Sequence, residues 1–278
     1  MNYLVSEKSK ILSLLLQHVE LTIIAIVLAI IIGIPLGIFI AHCKSVRKYV
    51  LGFINIVQAV PSMAFLGLLV PVLGIGSTPA IFMVVLYSLL PIVKNTSTGI
   101  TGIDSGILES ATGIGLTPRQ ILFKIQLPLA LPIIMAGVRI SAVSAVGLMT
   151  LSAFVGAGGL GYLVFSGVQT VNNTMILAGA IPACILALCV DFVFSKIEVV
   201  AIPDGISTSK SKRSRHAKNP KEYRDPKYKA RRRKVIGVAT ALVIIFIGCG
   251  RYFFSSFAQK ETIVVGSKDY TEQLILGN

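Results

Sequence analysis

The feature that most constrains this chain is a run of apolar residues at about Val19–Ala41 in which Glu20 is the only charge. A helix needs about 20 such residues to cross the hydrocarbon core of a bilayer. A soluble helical core of the same length would break its apolar runs with charges every turn or two. Further blocks follow at about Val50–Leu73, Pro79–Val93, Pro132–Phe154, Thr174–Val200 and 235–254. In lipid each backbone N–H and C=O must find its partner within the protein, so such blocks read as helices. Composition agrees. Charged residues make up 14% of the 278 and hydrophobic ones 54%, where a soluble domain keeps about a quarter of its residues charged. The expected fold is an all-α membrane protein with five core helices and one additional C-terminal transmembrane helix.

The net charge of +14 is local, because residues 201–234 alone carry thirteen Lys/Arg. A basic balance raises the idea of nucleic acid, but here the charge flanks spans, which the positive-inside rule explains; nucleic acid is not an expected partner. With six spans, the basic stretches 42–49, 94–131 and 201–234 fall on one side, the cytoplasmic one. The uncharged 74–78 turn and the 155–173 loop fall on the other, with the N-terminus and the C-terminal soluble part. Residues 201–234 then read as a basic linker that fixes topology or, alternatively, touches anionic headgroups and senses ionic strength. The first apolar block is too long for a cleavable signal and is expected to stay as an anchor. The four cysteines, Cys43, Cys184, Cys189 and Cys249, lack metal-ligand spacing and read as small hydrophobes. Residues 261–278 begin like a strand entering a turn, and the chain is expected to be part of a longer polypeptide.

The stretch 104–128, DSGILESATGIGLTPRQILFKIQLP, carries paired helix signals. Asp104 can cap a helix through Glu109 and Ala111, and GIGLT (113–117) can turn the chain. Thr117 as N-cap, Pro118 at the first helical position and Gln120 closing a capping box start a second helix, expected to end before Pro128. The result is a helix–turn–helix between two spans, able to dock into a partner.

The pattern Glu109-Ser110-Ala111-x-x-x-Gly115, followed after nine residues by Ile125-x-Leu127-Pro128, resembles the coupling-loop signature of binding-protein-dependent ABC importer permeases, with Ser110 where the family usually has Ala. The resemblance implies a type I importer transmembrane domain over residues 1–200. It also implies that Glu109, Ser110, Ala111, Gly115, Leu116, Thr117, Pro118, Leu127 and Pro128 serve contact with a cytoplasmic ATPase. LQHVELT (16–22), VQAVPSMAFLG (57–67) and VGAGGLG (155–161) narrow the likeness to the osmoprotectant branch, which imports glycine betaine, choline, carnitine and related betaines, with ergothioneine among the open candidates. VGSKDYTEQLILGN (265–278) resembles the start of the substrate-binding protein of such systems, which some members carry fused outside the membrane. Ser267, Asp269 and Tyr270 would then be ligand neighbours or ordinary turn residues.

No GxxxxGK[ST] phosphate-binding loop is present in the sequence, so the chain is expected to be no enzyme and to hold no cofactor. ATP and Mg would be bound by an ATPase dimer, and the partners expected are that dimer, a second copy of this chain, membrane lipid and a small-molecule substrate. The expected location is the cell membrane of a Gram-positive bacterium. Polar Gln58, Ser62, Ser141, Ser144 and Ser152 inside the blocks line a translocation path or knit helices together. Glu20, Arg139 and Asp191 are ionisable residues at span ends, functional suspects or snorkelling groups. An ion-coupled secondary transporter and a non-transporting membrane receptor or scaffold are the rival readings. The first would want mid-membrane charges and an internal repeat, and neither is clear.

Overall fold

In the computed structural model, residues 7–201 are described. The expected linker at 201–234 beyond Ala201, the sixth span at 235–254, the soluble start at 261–278 with Ser267, Asp269 and Tyr270, and Cys249 lie outside the described residues. Every regular element among the described residues is helical: α1 Lys8–His42, α2 Lys44–Ala59, α3 Ser62–Leu73, α4 Ser77–Thr101, α5 Ser105–Gly113, α6 Pro118–Ile121, α7 Leu127–Leu151, α8 Leu160–Gln169 and α9 Asn173–Ala201. A π-helical turn, Leu122–Gln126, joins α6 to α7, and a 3-10 turn, Ser152–Val155, follows α7.

Four of these helices, counting α6 through the 3-10 turn as one, are long and apolar enough to cross a membrane, and the α2–α3 pair makes a fifth if it is one span. The expected second span is thus a broken one, bent by 99°. The cause is local. Pro61 forces the residue before it out of the helical region, and Val60 is extended at φ −70°, ψ 131°.

Four other boundaries differ from expectation. The first span, expected from Val19, is part of a helix that begins at Lys8, since nothing between Ile11 and Val19 breaks it. The expected basic loop at 42–49 is the start of α2, with Cys43 alone between helices. The third span does not end at Val93 but runs to Thr101. Within its polar tail Asn95 Nδ2 donates to Pro91 O at 2.7 Å and Thr101 Oγ1 to Ser97 O at 2.9 Å, while the buried Thr96 and Ser97 hydroxyls find no partner among the described residues. The helix from Pro118 does not stop before Pro128, because the π turn widens the backbone just ahead of it. There the missing N–H and the bulk of the ring are tolerated.

The core forms around α4, which packs against both α1 and α7. Between apolar helices in lipid, close backbone approach replaces the hydrophobic drive, and small residues permit it. Gly33 and Gly37, four apart on α1, meet Ile92 and Thr96 of α4. A Cβ on Gly37 would lie 2.6 Å from Thr96 Cβ and 3.0 Å from Val93 O. Gly99 of α4 meets Ala130 and Ile133, and Gly137 of α7 meets Asn95 and Pro91 O. Met83, Ile92 and Val93 of α4 are fully buried as a result.

Replacing Gly37 by Ala should therefore destabilise the fold by about 1–3 kcal/mol, the usual cost of overpacking. Gly67→Ala, with nothing within 4 Å, should be neutral or slightly stabilising. Thermal unfolding of the two variants in detergent checks the contrast.

Candidate functional site

The helix–turn–helix is built from its own caps. Asp104 is the N-cap of α5, and its Oδ1 accepts from Gly106 N at 2.7 Å. At the other end Leu116 N donates to Ala111 O at 3.1 Å and Gly115 N to Thr112 O at 2.9 Å, the paired bonds of a Schellman closure. That closure needs a left-handed residue, and Gly115 supplies it at φ 84°. Two residues later the capping box of α6 is complete: Gln120 N donates to Thr117 Oγ1 at 3.4 Å, and Thr117 N to Gln120 Oε1 at 2.9 Å.

Of the residues expected to meet an ATPase, Glu109, Ser110, Gly115, Thr117 and Pro118 are exposed. Ala111 is buried, while Leu116, Leu127 and Pro128 are half-buried. The last two lie on α7 beyond the π turn, so they support the tip rather than form its surface. The sequence reading missed the apolar side chains that protrude here. Ile107, Ile114 (79% exposed) and Phe123 (65%) stand out from an otherwise polar segment. Their presence in a solvent-facing turn was a readable signal.

The polar residues of the spans divide by contact. Gln58 Nε2 donates to Tyr87 O at 2.8 Å, and the Tyr87 hydroxyl donates to Val60 O. Together they cover the backbone group freed by the break at Pro61. Ser141 Oγ donates across to Ser88 O of α4 at 2.9 Å and so knits α7 to α4, whereas Ser152 Oγ donates to Met149 O three residues back in its own segment; both are fully buried. Ser62 is half-buried and Ser144 exposed. Arg139 of α7 makes a bidentate pair with Asp191 of α9, at 2.6 and 2.8 Å, and its Nη1 lies 3.6 Å from Glu198. The two suspects of the sequence are thus each other's partners. Glu20 is half-buried on α1.

The Gly-rich loop is held from below by α1. Gln17 Oε1 accepts from Gly159 N at 3.0 Å, and its Nε2 donates to Ala157 O at 3.3 Å. His18, fully buried, places Nε2 3.2 Å from Val146 O. Gly158 and Gly159 have φ of 79° and 70°, and a Cβ on Gly158 would fall 2.5 Å from Gln17 Oε1. The loop also touches the α3–α4 turn, where Gly76 N donates to Val155 O at 2.7 Å. Beside it, an apolar groove of about 520 Å³ opens between α7, α8 and α9, with Phe154, Phe165 and Ala183 among its walls.

A family model described as "Binding-protein-dependent transport system inner membrane component" matches residues 33–198. The chain belongs to this family. It is 42% identical over 194 residues to the glycine betaine/carnitine/choline transport system permease protein OpuCB of Bacillus subtilis, covering 70% of this chain and 89% of that one. It is 40% identical over 210 residues to the osmoprotectant import permease protein OsmW of Salmonella typhimurium, covering 74% and 98%. The fold matches the inward-facing MetNI methionine ABC transporter at a TM-score of 0.62 and 23% identity, over 67% of this chain and 94% of that chain. The chain is a permease component of an ABC importer of the osmoprotectant branch, and ATP hydrolysis is the task of a separate subunit. The family expected from the coupling signature is the family found.

Since the tip is shaped by its caps, Thr117→Ala should cost it about 1 kcal/mol. Gly115→Ala should cost about 1–2 kcal/mol through the left-handed backbone. Amide hydrogen exchange should quicken over residues 113–121 in both variants and stay unchanged in α4 and α9.

Proposed function

We propose that this chain forms a homodimeric permease that imports quaternary ammonium compounds, and that residues 104–128 are the segment on which a cytoplasmic ABC ATPase docks. The observation that carries this reading is a self-capped, exposed helix–turn–helix with protruding apolar side chains, set between two spans of a chain in this family. Glu109, Ser110, Gly115, Thr117 and Pro118 offer the polar surface and the turn, and Ile114 and Phe123 the apolar anchors. The ATP and Mg belong to the ATPase. The substrate class comes from the relatives, whose names specify glycine betaine, carnitine and choline.

Two contacts support five crossings and a common side for the basic stretches. His42, at the end of α1, reaches Gln126 at 3.3 Å, so residues 42–49 share a side with the docking segment. Gly76 bonds to Val155, so the α3–α4 turn shares a side with the Gly-rich loop. The broken α2–α3 pair therefore crosses. With the basic stretches cytoplasmic, the Gly-rich loop faces outward, and residues 201–234, 235–254 and 261–278 are assigned as a basic linker, a sixth span and the start of a receptor domain. ATP binding draws the two docking segments together and opens the cavity outward, and hydrolysis resets it. Exposed Ser144 is the residue among the sequence candidates left available to line the path.

Copurification from membranes tests the docking. The wild-type chain should retain an ATPase whose activity rises with glycine betaine, choline or carnitine, and Gly115→Val should release it. Uptake in vesicles that survives loss of the ATPase and collapses with an ionophore would overturn the reading.

A further inference from the structure

Helix α1 is bonded to the π turn ahead of α7 and, at the other end, to Val146 of α7 and the Gly-rich loop beyond it. The two run antiparallel: Gln17 and His18 meet residues 157–159 and Val146 near the end of α7, and His42 meets Gln126 just before its start. Between these points α1 is about 38 Å long at 1.5 Å per residue. Both α1 and α7 pack on α4, with glycine contacts that leave no slack for sliding.

The contact at the docking end is chemically adaptable. His42 Nδ1 lies 2.9 Å from Ile38 O, a pure acceptor, so that nitrogen donates. In neutral His42 the other nitrogen must accept, and the Gln126 carboxamide can turn its NH2 toward it. In charged His42 both nitrogens donate, and the Gln126 oxygen receives the second bond. Gln126 is also buried and is the last residue of the π turn. A π turn carries one residue more than an α turn, so it is the place where the helix from the docking segment could give way instead of passing movement on.

We infer that Gln17 and His42, toward opposite ends of α1, are positioning residues that fasten it to the Gly-rich loop beyond α7 and to Gln126 ahead of α7, so that a displacement of the helix–turn–helix reaches the Gly-rich loop as motion of one rigid body. Neither residue lies within 104–128 or among the sequence candidates for the path. The inference rests on the reading of residues 104–128 as the ATPase-docking segment.

The test uses the full chain assembled with its ATPase and receptor in proteoliposomes, comparing wild type, Gln17→Ala, His42→Ala, the double variant and Gly115→Val. The Gln17 and His42 variants should copurify with the ATPase and hydrolyse ATP as wild type does. They should import about fivefold fewer glycine betaine molecules per ATP, the factor one lost hydrogen bond represents. An unchanged ratio of import to hydrolysis overturns the inference, as does a fall in both that only tracks the amount of assembled protein. If Gly115→Val keeps its ATPase, the docking reading itself fails. If it releases the ATPase while the Gln17 and His42 variants stay coupled, only the rigid-body inference falls. A second measurement does not depend on how these variants fold. Spin labels at exposed Ser105 and Val171, in a cysteine-free chain of otherwise native sequence, should hold their separation within about 2 Å when ATP is added. A larger change overturns the inference.

Discussion

Close approach of backbones at glycine governs this fold. Lipid tails are as apolar as leucine, so nothing squeezes two apolar helices together as water would. What remains is dispersion over a well-matched surface, and dispersion falls steeply with a gap of half an ångström. Gly33 and Gly37 on α1, Gly99 on α4 and Gly137 on α7 bring the three helices within reach of that force. Ile92 and Val93, which meet Gly33 and Gly37, are fully buried, and the helix–turn–helix hangs between α4 and α7. By contrast α9 is largely exposed along its length and is fastened to α7 by the Arg139–Asp191 pair. An ion pair tolerates small shifts of helix position that a glycine contact would not.

Local chemistry was legible in the sequence. Asp104, Gly115, Thr117 and Gln120 each act within three or four residues of themselves, and their roles in α5, the turn and α6 could be read directly. The family signature lies in the same stretch. What could not be read were bonds whose partners lie far along the chain. Gln17 and Gly159 are 142 positions apart, and Arg139 and Asp191 are 52 apart. Nothing in the windows around them names the other. Polarity also misled. The run from Lys94 to Thr101 was expected to lie beyond the third span, yet the Asn95 amide and the Thr101 hydroxyl turn back on their own helix and Thr96 and Ser97 are buried in it, so polar composition did not end it. Pro128 misled in the same way, since its usual effect on a helix was absorbed by a widened turn one residue earlier.

The distribution of rigid and yielding parts matters for a machine driven from one end. The break at Pro61 is bridged by Gln58 and Tyr87, and the α2–α3 pair beyond it carries exposed apolar faces at Tyr49, Phe53, Leu68 and Val72. The glycine-packed helices α1, α4 and α7 form the stiff counterpart. Sequence, through the placing of a few glycines and one proline, thus sorts the spans into those that transmit and those that adjust.

The helix–turn–helix carries a thermodynamic consequence. Both of its closures, the Schellman bonds at Gly115 and the capping box at Thr117, use residues within the segment itself. Its shape therefore exists before any partner arrives. A disordered loop of that length would have to surrender conformational entropy at each encounter, and that loss would weaken association. A pre-shaped tip avoids that loss, so a modest patch of exposed side chains suffices for the docking proposed above.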